Sequence, residues 1–121
     1  MAKYFEDLEV WKMSKELWES LSKIFYAEKF RNYGFQDQIM RAIFSVSNNI
    51  AEWFERGSNK DFVKFLYYSK WSVWEVRNLL YFAKNLKYIN DSDFENYKSQ
   101  CLTLSTKIHN LISYLIKSDK K

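Results

Sequence analysis

Apolar residues recur along this chain at threes and fours almost from end to end, the spacing of amphipathic helices. Leu8, Trp11, Trp18, Leu21 and Phe25 share one broad face, which Val10, Leu17 and Ile24 widen, and this predicts a first helix from about Phe5 to Ala27. Lys12 with Glu16 and Lys15 with Glu19 stand four apart on its polar side; each such pair adds a few tenths of a kcal/mol at most. A loop is expected over residues 29–34, where Gly34 can take positive φ. Ile39, Ile43, Val46, Ile50 and Trp53 predict a second helix from about Phe35 to Arg56, ended by Gly57 at C′. Ser58 is a good N-cap for a third helix from about Asn59 to Leu86, with Asp61 in its first turn.

The third helix has a core stripe of Phe62, Leu66, Val73, Val76, Leu80 and Ala83. Its other side is not polar, because Val63, Tyr67, Trp71, Trp74, Tyr81 and Phe82 lie around it. A helix apolar on more than one side is buried on more than one side, and in so short a chain that implies a subunit contact. Residues 87–91 break the pattern, and Ser92 with Glu95 reads as a capping box opening a fourth helix over about 92–117. Phe94, Tyr97, Cys101, Leu104, Ile108, Leu111 and Leu115 form its seam. The expected fold is all-α, one domain over 1–121, an antiparallel up-down-up-down four-helix bundle.

Composition sharpens this. The 121 residues include no proline and two glycines, so little turn chemistry is present and a few long helices are favoured over many strands. Aromatic residues make up 20% and must fill a core or cover an interface. One cysteine excludes an intramolecular disulfide framework, and one histidine excludes a histidine-rich metal site. The charged N-terminus has no secretory signal and no stretch is long and apolar enough to span a membrane, so a cytoplasmic protein is expected. The net charge is +4, and all of it lies in residues 98–121, which hold five lysines and one aspartate. A nucleic-acid binder usually shows a stronger bias, so the charge permits such a partner without demanding one.

No catalytic constellation is present. His109 has no nucleophile motif beside it, Cys101 sits on the core stripe, no glycine-rich phosphate loop occurs, and no cofactor is expected. Glu52 and Glu55 could touch one metal, but the Glu-x-x-His motifs of helical di-metal sites are missing. Asn48, Asn49 and Glu52 could contact a ligand, although an interhelical hydrogen-bond cluster with Arg41 is the plainer expectation. Lys70, Arg77 and Lys84 recur every seven residues beside Trp74 and Tyr81. With Arg41 and Lys64 they are candidates to meet backbone phosphates, the tail residues Lys117, Lys120 and Lys121 assisting. Against this stands the ordinary reading of a solvated helix edge. Trp53, Trp71 and Trp74 are candidates for an apolar interface with a partner protein or another copy.

Several short segments together carry a resemblance. Phe5-Glu6-Asp7-Leu8-Glu9-Val10-Trp11 looks like an F-x-D-L-x-V-W opening, and Tyr33-Gly34-Phe35 with Gln38-Ile39 is similar to Y-G-L-x-x-Q-I. Ser47, Asn49-Ile50-Ala51-Glu52 and Arg56 resemble S-x-N-I-A-E-G-x-x-R, and Leu86-Lys87-Tyr88-Ile89 resembles L-G-Y-I. In this order they resemble the bacterial four-helix bundle proteins named after the 23S rRNA intervening sequences that encode some of them. The resemblance implies a noncatalytic bundle that forms a homo-oligomeric ring, commonly a pentamer. It also implies a distant relation to the accessory proteins of diversity-generating retroelements, which bind RNA or DNA and a reverse transcriptase. The chain departs from the pattern at Trp53 and Trp71, where the family has glycine, at Glu55, at Met40, and at Lys87 in place of the glycine of L-G-Y-I. Tryptophan for glycine is expected to overpack where backbones approach closely, at about 1–3 kcal/mol.

Overall fold

The computed structural model describes residues 2–56 and 58–119. A single 3₁₀ turn at Phe5–Asp7 leads into four α-helices, α1 Glu9–Phe25, α2 Tyr33–Phe54, α3 Asn59–Asn85 and α4 Asp91–Asp119. Each helix packs on its neighbours in sequence, and α4 returns to α1, so the helices form an antiparallel four-helix bundle in which α1 and α3 lie on one diagonal. The stripes expected from the sequence converge on one core. Leu17, Leu21 and Phe25 of α1, Ile39, Ile43 and Ile50 of α2, Leu66, Val76 and Leu80 of α3, and Phe94, Leu104 and Ile108 of α4 are all buried in it.

The element ends differ from the expectation in instructive ways. The first helix does not begin at Phe5, because Leu8 is extended (φ −74°, ψ 129°) and separates the 3₁₀ turn from α1. The backbone N–H of Tyr4 donates to the Asp7 carboxylate, which holds that turn in place (3.2 Å). Helix α2 starts two residues earlier than expected. The Asn32 side chain accepts from the Phe35 N–H at 3.1 Å and acts as N-cap, so Gly34 lies inside the first turn with no positive φ. Gly57, the expected stop, lies outside the described residues.

Ser58 caps α3 as expected, accepting from the Asp61 N–H at 3.3 Å. The other end of α3 is closed by a Schellman arrangement. Tyr88 N–H donates to the Ala83 carbonyl and Lys87 N–H to that of Lys84, which requires a left-handed residue at Lys87 (φ 62°). The expected capping box at Ser92 does not open α4. Asn90 does so instead, its side chain accepting from the Asp93 N–H at 2.7 Å and its carbonyl from Phe94 N–H. Ser92 already lies within the first turn.

Two buried serines tie the bundle internally. Ser69 of α3 donates to the Val46 carbonyl of α2 at 2.9 Å, and Ser14 donates to Trp11 within α1 at 2.8 Å. Ser72 and Ser45 meet at 3.1 Å beside the first of these, so small hydroxyls let α2 and α3 approach closely. Of the hydrogen-bond cluster expected around Arg41, Asn48, Asn49 and Glu52, only Asn49 is linked to another helix among the described residues, through Ser45 to Ser72 of α3. Asn49 bonds back to Ser45, Glu52 pairs with Arg56, and Arg41 pairs with Asp37. Arg41 and Glu52 sit on the outer side of α2, where partners one turn away are nearer than another helix.

Candidate interaction surface

Helix α3 divides into three strips. The strip at Phe62, Leu66, Ser69, Val73, Val76 and Leu80 faces the core. The opposite strip faces solvent and is aromatic. There the indole of Trp53, at the end of α2, lies flat on Phe65, with ring centres 3.7 Å apart and planes 4° from parallel. Phe65 meets Tyr68 edge-on at 5.1 Å, Tyr68 meets Trp71 at 5.6 Å, and Trp71 meets Tyr67 at 6.2 Å. The result is a continuous ladder of rings climbing the outside of the bundle. Trp71 at its top is 51% exposed, and Phe82 farther along the helix is 52% exposed. Each ring contact is worth about 0.5–1.5 kcal/mol beyond burial, so the rings hold one another in place.

Trp53 and Trp71, the two tryptophans at positions where glycine is the resembled residue, are therefore joined by this ladder. Contrary to the overpacking expected from the sequence, neither crowds the bundle. Trp71 points out to solvent, and Trp53 finds room on Phe65 with the Arg56 guanidinium 4.5 Å above its ring. Trp74, the third interface candidate, belongs elsewhere. Its indole N–H donates to Ser105 of α4 at 3.2 Å, so it closes the edge between α3 and α4.

That edge is the third strip. Lys70 lies 5.5 Å from the Trp74 ring and donates to Nδ1 of His109 at 3.1 Å. Lys84 lies 4.7 Å from the Phe94 ring, and Arg77 stands between the two lysines in the seven-residue row. Lys98 of α4, which the sequence pattern did not single out, joins them over Tyr81 at 5.7 Å. None of these four cations forms an ion pair among the described residues. The five basic candidates are thus not one site. Lys70, Arg77 and Lys84 share this edge, Lys64 sits on the outer strip over Phe65, and Arg41 is on α2 with its charge met by Asp37 at 2.9 Å. Lys117 is exposed near the end of α4, while Lys120 and Lys121 lie outside the described residues.

A second apolar surface lies on another side of the molecule. Phe5, Trp11 and Trp18 line, with Phe44 of α2, a cleft of about 350 Å³ that Ser47 and Ala51 also border. Phe44 is 57% exposed and was hidden from sequence reasoning, because it falls off the core stripe of α2 and looks like a stray apolar residue. Lys15 on the rim pairs with Glu19, whose carboxyl is held below its ordinary value by the hydrogen bond from Lys15.

Groups with chemical potential are few. Cys101 is fully buried, and burial pushes its thiol up to about 12, so it is protonated and inert at neutral pH. No group of three or more His, Cys, Asp or Glu side chains converges among the described residues. No described helix is long and apolar enough to cross a membrane.

Comparison with known proteins agrees with the fold. A solved structure of a protein of unknown function, from the S23 ribosomal protein family of Bacteroides thetaiotaomicron VPI-5482, superposes with a TM-score of 0.75 at 22% identity. The match covers 86% of this chain and 95% of that one. No curated protein matches the chain. The family model described as 23S rRNA-intervening sequence protein matches residues 6–110, and the chain belongs to that family.

Proposed function

We propose that this protein is a noncatalytic scaffold that works by self-association, using the aromatic outer strip of α3 as its contact surface. The ring ladder from Trp53 to Trp71 carries this reading. Large rings held rigidly at the surface lose little entropy on docking and shed water from a large area, which is why such residues dominate interfaces. A contiguous exposed apolar patch is unusual for a protein that stays monomeric. Assembly of identical copies into a closed ring, with five as the number the family resemblance implies, buries the strip on every copy. Sedimentation velocity of the wild type against Trp71→Ala tests this. The wild type is expected to sediment as a multiple of the 14.8 kDa chain and the variant to shift toward the single chain. An unchanged mass would remove Trp71 as an anchor.

A second reading has its own observation. The row of Lys70, Arg77, Lys84 and Lys98 beside Trp74 and Tyr81 has no carboxylate partner among the described residues and suits the phosphates of RNA or DNA, with rings near enough for bases to stack. Assembly would repeat this row around the scaffold and multiply a weak contact. Anisotropy of a labelled structured RNA at several salt concentrations distinguishes the two. Steeply salt-dependent binding that weakens when the four cations become glutamine supports the nucleic-acid role, and no binding at low salt removes it.

A further inference from the structure

The outer strip of α3 and the cleft between α1 and α2 are exposed aromatic surfaces on different sides of the bundle, and within one chain they cannot meet. Helix α3 packs on α2 and α4 and not on α1, so its outer strip points away from the cleft. We infer that the α3 ladder of one copy seats in the α1/α2 cleft of the next copy. This rests on the self-association reading and adds the mating surface to it.

Shape and charge both favour this pairing over two α3 strips meeting face to face. The cleft is lined by the rings of Trp11, Trp18 and Phe44 together with the small residues Ser47 and Ala51, and its volume of about 350 Å³ has room for an aromatic side chain. The α3 strip is a ridge that presents such side chains, Trp71 foremost. Charge follows the same division. Helix α3 as a whole carries five basic residues against two acidic ones, three of the five on its α4 edge, whereas residues 5–54 carry eight acidic against six basic, so the complementarity is one of long-range net charge. Two α3 helices side by side would repel, while α3 against the α1/α2 side attracts.

The geometry has a structural consequence. Contact between two different patches is heterologous, so each copy keeps one free ridge and one free cleft until the chain of copies closes on itself. A ring leaves neither exposed. A face-to-face contact would instead stop at two copies and leave the cleft open.

Crosslinking between copies tests the pairing. Asn48 stands on the cleft rim and Asn78 on the outer strip of α3, and both are exposed. Differently tagged Asn48→Cys and Asn78→Cys chains are co-expressed and treated with a flexible bis-maleimide, the buried Cys101 of the wild type serving as the unreactive control. The expected result is a mixed-tag crosslinked dimer, with no self-crosslink in Asn78→Cys alone. Phe44→Glu should abolish the assembled species while its circular dichroism stays helical. Self-crosslinking of Asn78→Cys alone, or no mixed product in a sample that sediments as an assembly, would overturn the pairing and leave self-association standing. A wild type that sediments as a single chain would overturn both.

Discussion

The inner and outer strips of α3 are built from the same helix and answer to different constraints. Inside, Leu66, Val73, Val76 and Leu80 are almost wholly removed from water, and Ser69 spends its hydroxyl on the Val46 carbonyl. Every group there has a partner within the chain. Outside, Tyr68, Trp71 and Phe82 are as large as core residues and remain between 36% and 52% exposed. Tyr68 and Trp71 touch each other. The difference teaches that side-chain size alone does not mark the core. What marks it is whether the rings are covered by another helix: Trp53 of α2 covers only Phe65 at one end of the outer strip, and Tyr68, Trp71 and Phe82 remain open to solvent.

Substitutions can break this contrast. The largest effect is expected inside. Leu66→Ala empties a fully buried site touching α2 and should cost about 2–5 kcal/mol in urea unfolding. Trp71→Ala, though it removes more atoms, should leave the stability of the separated chain within about 0.5 kcal/mol, because its site is open to solvent. Comparable losses at both sites would erase the distinction.

A smaller effect probes how closely α2 and α3 approach. Ser69→Val adds a methyl group where the hydroxyl now reaches the α2 backbone, and overpacking there should cost about 1–3 kcal/mol. The same measurement on Ser105→Ala, which removes only the acceptor of the exposed Trp74 N–H, should show about 1 kcal/mol or less.

Lys87 offers a change in the opposite direction. A side chain at φ 62° carries a backbone cost that glycine escapes. Lys87→Gly should stabilise by up to about 1 kcal/mol, read as a higher urea midpoint, with the glycine's extra freedom in the unfolded chain offsetting part of the gain. Cys101 supplies the smallest change. Its thiol should resist maleimide at neutral pH in the folded protein and react once urea unfolds the chain. Prompt labelling without denaturant would mean that α4 opens at that position.

The bundle was legible in the sequence because helical periodicity records burial directly. Ile39, Ile43, Val46 and Ile50 had no reading other than one buried face, and the structure buries all four. The helix ends were less legible, since Asn90 competes with nearby Ser92 for the capping role and Asn32 caps α2 inside what reads as a loop ending at Gly34, and only backbone geometry decides between them. The surfaces were legible in part. Trp71 stood out because it falls outside the core stripe of α3. Its linkage to Trp53 through Phe65 and Tyr68 crosses between two helices and has no signature in sequence spacing. Phe44 and Lys98 were missed for the same reason, each gaining its meaning from a neighbouring helix.

Association and stability are linked, and that link gives the most direct test of the division between the two faces of α3. A protein whose folded copies bind one another becomes harder to unfold as its concentration rises. The urea midpoint of the wild type should therefore climb with protein concentration, while that of Trp71→Ala stays level and meets the wild-type value at high dilution. A wild-type midpoint independent of concentration would contradict the account, and the aromatic ladder would then have no role in holding copies together.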